Sequence, residues 1–435
     1  MYPTPILWFE ICLAVGIAIV FLCAKPEFGL FLYAFALGFP DLAYPAGSTI
    51  NVRVDDVLIV LFLMRTLFCA PAPLTRTQRT IFVWQALFFA VCVFSLAVET
   101  ASGSPPGGYE PVKMAGCAAV FLAFPRIVQS QRRLRFLLGG LMCGGVALMV
   151  QIHQHLGESA TGVYANFQQF KSAAAFATWN PNTTGQAAIL LAFAAGLGGV
   201  LFSKSVAGRF LWPGLAAGFA LIPVLVFARG TSLSIAVAFV LFLCLVRRWK
   251  WILVFAAFCL CALAYLNSRD PQLLRDASAV NVLTGDGLSH RFDRWEMALQ
   301  GIEKQPWFGQ GFGQELPYLT LIGSEGRAHD AYLAVWLELG LGGLLVFVAA
   351  LYQFVRAGLL LWKSPRSRAP GALILALTVV LCLDSIGLPT LYWEKLPTIA
   401  LSLALAVVGI CERDDPAPAR NEVRAFKEDP SMQFS

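Results

Sequence analysis

His329 and Arg327 close the longest hydrophilic stretch of the chain, residues 268–328. Long apolar runs flank this stretch, so it must lie in water beside a membrane. A neutral imidazole can act as a general base near neutral pH, which suits chemistry on a substrate held at the bilayer surface. The alternative is a polar cap at the start of the next helix, where Asp330 is also favoured. The residue types alone do not separate these two interpretations.

Tyr332 follows His329 by three residues, so in one continuous helix the two side chains share a face. Tyr332 is therefore a candidate substrate contact. Glu338 lies about half a turn away from His329, so it is predicted to face a neighbouring span and to pair with a polar group there. Gly340, Gly342 and Gly343 are predicted to allow close approach of another helix.

Arg229 lies in the sequence VFARGTSLS, between two apolar runs that are too close together for an ordinary loop. An arginine at membrane depth is costly and is by default a functional hypothesis. Its planar guanidinium suits a diphosphate. The alternative is a side chain that reaches the lipid headgroups from a helix end. Because that turn contains no other basic residue, a functional role is favoured.

The hydrophilic stretch contains one clear helical pattern, residues 291–304, with apolar side chains at helical spacing. Ser289 is a suitable N-cap. Arg291 and Arg294 lie on the first turn with Trp295 on the adjacent face, and one of the arginines is a candidate for a second phosphate. The alternative is a solvated amphipathic helix, which is preferred for Arg294. Spacing does not choose between the two arginines.

Three glycines follow this helix in a GxGxG pattern, Gly309, Gly311 and Gly313. A phosphate-binding loop would need a strand before the glycines and a helix directly after them, and neither is predicted. The pattern therefore indicates tight turns.

The segment FATWNPNTTGQAAILL opens another apolar run. Asn180 and Asn182 are typical of a turn and a helix N-cap, and asparagines at a membrane mouth can also bind sugar hydroxyls. Lys171 is the lone basic residue in the preceding loop and a weak phosphate candidate. The sequence has no HxxxH, DxD or clustered acidic and histidine residues. No metal ion and no cofactor are therefore predicted.

The composition indicates a membrane protein. Hydrophobic residues make up 58% of the 435 residues and charged residues 13%, against roughly 25% charged in soluble proteins. The net charge of +6 comes from short loops between apolar runs, which is the positive-inside pattern. A nucleic-acid partner is therefore excluded, and the expected surroundings are membrane lipids.

The apolar runs predict an all-α polytopic fold with about 12–13 transmembrane helices. The runs are 5–24, 27–40, 54–70, 80–99, 111–126, 133–153, 183–203, 208–228, 230–246, 250–267, 331–354, 369–388 and 396–411.

Four regions follow from this pattern: N-terminal spans in 1–267, a loop in 268–328, C-terminal spans in 329–411 and a polar tail in 412–435. Basic loops alternate with loops poor in lysine and arginine. The basic loops and the tail are therefore predicted to be cytoplasmic, and the long loop to lie on the other side, which in a bacterium is the periplasm.

Four segments in this order resemble the bacterial O-antigen ligase and polymerase superfamily: NPNTTGQAAILL, ARGTSLS, SHRFDRWEMALQGIEKQPWFGQGFG and AHDAYLAVWLELGLGG. The family pattern has an asparagine-rich span start, an S-R-G-like turn and R-x-x-x-W followed by P-x-x-G-x-G. An H-N-x-Y-L segment with E-x-G-x-x-G then starts a span. The resemblance covers about residues 180–345.

The resemblance implies a GT-C-like membrane glycosyltransferase that takes a glycan from undecaprenyl diphosphate. It implies that Arg291, with Trp295 at the end of R-x-x-x-W, binds phosphate. Arg229 corresponds to the turn arginine and His329 to the loop-closing histidine. Two departures are Ala228 in place of serine and Asp330 in place of asparagine. The carboxylate of Asp330 is expected to alter acceptor contacts or to raise the pKa of the histidine.

The motifs leave the acceptor open. A ligase would use lipid A–core, a polymerase would use a second lipid-linked glycan, and a third branch would use protein. Ligase or polymerase is favoured, and an enzyme in the bacterial inner membrane is expected. A transporter of lipid-linked glycans is the alternative of a different class. It is disfavoured because the candidate residues gather at one membrane face and no repeated halves are visible.

Overall fold

The computed structural model describes ten main stretches of the chain, with a few further residues between 250 and 264. The stretches are 25–37, 43–45, 51–68, 73–101, 110–160, 181–225, 228–248, 286–324, 327–387 and 394–414. The predicted first span, 5–24, lies outside the described residues, as do Lys171 and Asn180.

Helices dominate the described residues. They are α1 (Pro26–Ala36), α2 (Val54–Phe68), α3 (Arg76–Ala101), α4 (Glu110–Ile127), α5 (Gln131–Ala160), α6 (Pro181–Phe202), α7 (Val206–Leu225), α8 (Arg229–Leu245), α9 (Asp286–Lys304), α10 (Glu315–Leu321), α11 (Ala331–Lys363), α12 (Arg368–Gly387) and α13 (Lys395–Asp414).

Two short strands, β1 (Ala43–Pro45) and β2 (Asn51–Arg53), pair antiparallel between α1 and α2. The apolar pattern did not predict this hairpin, because three-residue strands beside prolines and a glycine carry no periodic signal.

Seven described helices are long and apolar enough to cross a membrane: α3, α5, α6, α7, α11, α12 and α13. Shorter apolar segments lie in α2 and α8. The predicted α-helical polytopic class is confirmed. The total of 12–13 spans stays a prediction, because the runs 5–24 and 250–267 are not described in full.

The centre of the bundle is formed by α6, α12 and α13, whose apolar side chains are buried almost all round. By contrast, most residues of α3 and α7 are exposed or only half-buried. In a membrane protein such exposed apolar faces meet lipid. The main core cluster joins side chains from α1, α2, α4, α5, α6, α8, α11, α12 and α13.

The helix α11 is broken at Gly340, whose φ of 68° and ψ of −174° are not helical. The rings of Tyr332 and Phe347 lie 6.0 Å apart on either side of the break. In a straight helix about 22 Å would separate these two positions, at ~1.5 Å per residue. The segment 331–339 therefore folds back along the first turns of the segment 341–363.

This fold-back sets the depth of the polar residues before α11. The segment 341–363 alone is about 34 Å long, enough for a hydrocarbon core of ~30 Å. The hydroxyl of Tyr332 donates to the carbonyl of Cys382, inside the last turns of α12, at 3.2 Å. The predicted span 331–354 is confirmed as an apolar helix, but it is broken at Gly340, and His329 is recessed into the bundle beside the end of α12.

Candidate functional site

His329 has a left-handed backbone conformation, with φ of 57°. A residue with a Cβ in this region costs about 1–3 kcal/mol and persists only where the surroundings impose it. His329 also lies two residues before the first residue of α11. The prediction that His329 and Tyr332 share a helix face is therefore wrong. The histidine is oriented by the contacts of its neighbours.

Ala328, the residue before His329, has both of its backbone polar groups hydrogen-bonded. The indole N–H of Trp295 donates to the carbonyl of Ala328 at 2.9 Å. The N–H of Ala328 donates to Oε1 of Glu315, also at 2.9 Å. Arg327 forms an ion pair with Oε2 of the same carboxylate at 3.4 Å. Because Glu315 is buried, these bonds are shielded from water and fix the chain that enters His329.

The residue after His329 is the N-cap of α11. Oδ1 of Asp330 accepts from the backbone N–H groups of Tyr332 and Leu333, both at 2.8 Å. This capping satisfies two donors that a helix start otherwise leaves unpaired. Burial raises the pKa of Asp330, while these two hydrogen bonds oppose that shift.

The imidazole of His329 is neutral at physiological pH. Its pKa is lowered to about 4, first by burial and then by the positive charges of Arg294, Arg291 and Arg327. The expectation that Asp330 raises this pKa is therefore wrong. Nδ1 is buried and has no hydrogen-bond partner among the described residues. A neutral imidazole offers one donor and one acceptor, so the ring retains hydrogen-bonding capacity for a bound molecule.

The amphipathic helix α9 brings the arginines to this histidine. It begins at Asp286, five residues before the predicted start, so Ser289 is not its N-cap. Partial burial lowers the pKa of Arg291, and the charge of Arg294 lowers it further. Two cations that disfavour each other in this way form a site of positive potential, which an anion would relieve.

The GxGxG segment after α9 packs against the break in α11. The N–H groups of Gln310 and Gly311 donate to the carbonyls of Leu337 and Glu338, at 2.6 and 3.0 Å. The N–H of Leu341 donates to the carbonyl of Pro306 at 2.9 Å. The loop thus bonds backbone groups on both sides of the break.

Glycine is required at this junction because the two backbones touch. A Cβ at Gly309 would lie 2.4 Å from the backbone of Glu338, and a Cβ at Gly340 would lie 2.2 Å from the carbonyl oxygen of Trp307. Both glycines have positive φ, as does Gly311. The prediction of turn chemistry for these glycines is confirmed, and Gly340 is a turn residue where close helix approach was expected.

Glu338 accepts a hydrogen bond from the polar loop. Its Oε1 accepts from the backbone N–H of Glu315, a residue of the polar loop, at 2.9 Å, and pairing with a polar group of a neighbouring span stays a prediction. Glu315 in turn holds Ala328, the residue before His329. A chain of buried hydrogen bonds therefore connects the break in α11 to the histidine. An acid in an apolar run was the signal for Glu338. Glu315 carried no signal, because acids are common in polar loops.

Four helix ends meet beside this network. Tyr332 at the start of α11 bonds to Cys382 near the end of α12. Thr231 in the first turn of α8 donates to Asp384 of α12 at 2.7 Å. A Cβ at Gly185, near the start of α6, would lie 2.8 Å from the hydroxyl oxygen of Thr231. The segments that carry the sequence motifs are thus brought to one end of the bundle.

Two further candidates, Arg229 and Asn182, lie on helices that meet at this end of the bundle. Arg229 is the first residue of α8 and Asn182 lies in the first turn of α6, and only their backbone positions are described. Both are on helices that meet at Thr231 and Gly185. Sequence analysis missed Asp384, which is buried in α12; a single acid in an apolar run was the available signal.

Residues 214–348 match the family model described as O-antigen ligase. The matched residues contain Arg229, Arg291 and His329, together with α8, α9, α10 and the start of α11. No curated protein matches the chain. Three of the four motifs lie in the matched region, and the resemblance is confirmed there: this multi-pass membrane protein has a region that matches the O-antigen ligase family.

Proposed function

We propose that the protein is a metal-independent glycosyltransferase that moves a glycan from undecaprenyl diphosphate to a hydroxyl of lipid A–core. The observation that carries this proposal is His329, a neutral imidazole with a buried, unpartnered Nδ1 among three arginines. A base with three cations close by suits a reaction in which a hydroxyl attacks and a diphosphate leaves. The O-antigen ligase family match supports the substrate class.

The residues divide the reaction between them. Arg291 and Arg229 bind the diphosphate and stabilise the negative charge that develops as it departs. The acceptor oxygen bonds to the anomeric carbon, and the bond from that carbon to the diphosphate oxygen breaks. His329 takes the hydroxyl proton, and undecaprenyl diphosphate leaves with the electron pair. In this proposal Asn180 and Asn182 contact sugar hydroxyls of the donor, and Lys171 contacts its phosphate.

Trp295 and Tyr332, which were predicted to contact the substrate, act as positioning residues in this proposal. The indole N–H of Trp295 is bonded to the carbonyl of Ala328, so Trp295 positions His329. Tyr332 is bonded through its hydroxyl to Cys382, which ties α11 to α12. Both residues then act on the substrate through the histidine and the shape of the site.

Donor binding would strengthen the base. In the free protein three arginines and burial hold the pKa of His329 at about 4. A bound diphosphate places negative charge beside the same arginines and offsets their effect, which raises the pKa of the imidazole toward its ordinary value. A base that gains strength only with the donor in place suits transfer to the acceptor.

The recessed position of His329 fits a substrate anchored in lipid. The bond from Tyr332 to Cys382 keeps the site among the helix ends of the bundle. We place loop 268–328 in the periplasm and tail 412–435 in the cytoplasm of an inner-membrane protein, because the basic loops alternate with basic-poor ones.

The test is donor turnover by the purified full-length protein. Wild type, Arg291→Ala, His329→Ala and the control Lys304→Ala, on the last turn of α9, are mixed with undecaprenyl-diphosphate glycan, with and without lipid A–core. The proposal expects glycan on lipid A–core with wild type and the control, and loss with the other two variants.

Other outcomes identify the alternatives. Lengthening of the lipid-linked glycan without lipid A–core would identify a polymerase, and glycan on protein would identify the third branch. Glycan that crosses the bilayer, with no transfer to any acceptor, would exclude the enzyme and identify a transporter.

A further inference from the structure

A large cavity lies between α6, α7, α8 and α12, with a volume of about 660 Å³. Its wall is almost entirely apolar. Each of the four helices contributes to it, for example through Phe193, Ala216, Phe239 and Leu377. Cavities of roughly 300–1,000 Å³ are the size range of small-molecule sites.

Four arginines lie at one end of the cavity: Arg209, Arg248, Arg366 and Arg368. They lie at three separate places in the chain: Arg209 in the first turn of α7, Arg248 after the end of α8, and Arg366 and Arg368 at the connection from α11 to α12. No aspartate or glutamate is among the described residues that line the cavity. In the sequence, these arginines belong to the basic loops that indicate the cytoplasmic side of the membrane. Topology requires basic loops, but it does not require three of them to meet at one cavity.

The cavity is as deep as one leaflet of a bilayer. Along α8 its wall extends from Ile235 to Val246, about 16 Å at ~1.5 Å per residue. Along α12 it extends from Arg368 to Val380, about 18 Å. Half of a hydrocarbon core of ~30 Å is about 15 Å. An acyl chain that filled the wall would place its headgroup at the arginines.

We propose that this cavity binds an anionic phospholipid, with an acyl chain between the four helices and the phosphate at Arg209, Arg248 and Arg368. Basic pockets between membrane helices bind anionic headgroups, and each arginine beside the phosphate adds to that attraction. The aromatic ring of Trp212 lies at the same end and suits the boundary between chain and headgroup.

This site is separate from that of the glycan donor. Arg229 is the first residue of α8, whose first turn meets Asp384 of α12, whereas Arg248 follows the other end of that helix. On α12 the order is reversed, since Arg368 begins the helix and Asp384 lies near its end. The charged rim and His329 therefore lie at opposite ends of the bundle, and the lipid comes from the leaflet opposite to the proposed site of transfer.

The first test measures lipid preference. The full-length protein is exchanged into detergent with equal amounts of dioleoyl phosphatidylglycerol and dioleoyl phosphatidylcholine, and bound lipid is counted by native mass spectrometry. Phosphatidylglycerol is expected to be retained preferentially. Arg209→Gln and Arg248→Gln are each expected to weaken its binding about fivefold, the equivalent of about 1 kcal/mol. Arg132→Gln is the control, because Arg132 is an exposed arginine that does not line the cavity.

The second test fills the cavity. Ala217→Phe places a ring into the wall contributed by α7, whereas Ala207→Phe adds the same ring to an exposed position of that helix. Only Ala217→Phe is expected to displace phosphatidylglycerol, with both variants eluting as the wild type does in size-exclusion chromatography.

Three results would overturn the proposal. The two lipids could be retained equally, which would make the cavity a neutral lipid groove. The Arg132 variant could lose as much phosphatidylglycerol as the cavity variants. Undecaprenyl diphosphate could displace phosphatidylglycerol from the wild type, which would assign the cavity to the donor. None of these readouts depends on glycan transfer, so the outcome is independent of the proposed reaction.

Discussion

The two ends of the bundle both collect arginines, but they surround them with different structures. At the His329 end, Arg327 is paired with the buried Glu315, and the charges of Arg294 and Arg291 add to burial in lowering the pKa of His329. At the opposite end, Arg209, Arg248 and Arg368 are exposed at the mouth of an apolar cavity.

The two groups of arginines differ in what lies next to them. Around His329, buried hydrogen bonds fix the backbone before and after the histidine, so the cations act on a group that cannot turn away. Positive charges close to a partly buried group alter the pKa of that group, whereas charges that face only water are screened. The same residue type therefore suits chemistry at one end and lipid attachment at the other.

The largest expected effect tests whether chemistry belongs to the histidine end. His329→Ala is expected to lower the rate of glycan transfer by about 10²- to 10⁴-fold, because a positioned general base contributes that much. His153→Ala changes an exposed histidine of α5 and serves as the control. Initial rates with purified protein measure the effect. Equal losses of transfer rate in the two variants would show that the chemistry does not belong to the His329 end of the bundle.

The next effect tests whether the fold-back at Gly340 positions the histidine. Gly340→Ala puts a Cβ 2.2 Å from the carbonyl oxygen of Trp307 at a positive φ, so it is expected to cost about 1–3 kcal/mol from backbone strain, with the clash in addition. Transfer should fall by about 10²-fold as His329 moves.

Gly342→Ala is the matched control for this prediction, because nothing lies within 4 Å of its added Cβ. Thermal unfolding and initial rates are measured for both variants. If Gly340→Ala unfolds and reacts as the wild type does, the break does not position the site.

A smaller effect is expected from the indole that holds Ala328. Trp295→Phe removes one hydrogen bond of 2.9 Å and keeps most of the ring, which is a loss of about 0.5–1.5 kcal/mol, or about 2- to 12-fold. The rate constant kcat should fall more than KM rises, because the change misplaces the base. Trp307→Phe, at an exposed tryptophan, is the control. A change confined to KM would instead indicate that Trp295 contacts substrate.

The smallest effect is a shift in pH dependence. His329 must be neutral to accept a proton, so kcat/KM for the free enzyme should stay constant down to its pKa of about 4 and fall at lower pH. Arg294→Gln removes a charge that lowers this pKa, so the fall should begin at a higher pH. Lys304→Gln, farther along α9, should leave the profile unchanged. A profile that is the same in all three proteins would sever the link between the arginines and His329.

Most of the spans and the types of the candidate residues could be predicted from the sequence. Bilayer thickness sets the length of an apolar run, so the boundaries of α3, α6, α12 and α13 lie within a few residues of the predictions. Charged residues inside or beside such runs are costly, and for that reason Arg229, His329 and Glu338 stood out as candidates.

The contacts of those residues could not be predicted in the same way. The apolar run after His329 has the same composition whether α11 is straight or folded back, and only the loop packed on Gly340 decides between them. Likewise, Glu315 becomes part of the site through bonds to Ala328 and Glu338.

By itself, the sequence determined that the chain crosses a membrane repeatedly, that one polar loop ends at a histidine, and that its motifs match a known superfamily. These properties depend on composition, length and short spacing, which are local. Tertiary structure alone decided the depth of His329, its low pKa, and the meeting of three basic loops at one cavity. Those properties arise from burial and from charges distant in the chain, and only the packed helices bring them together.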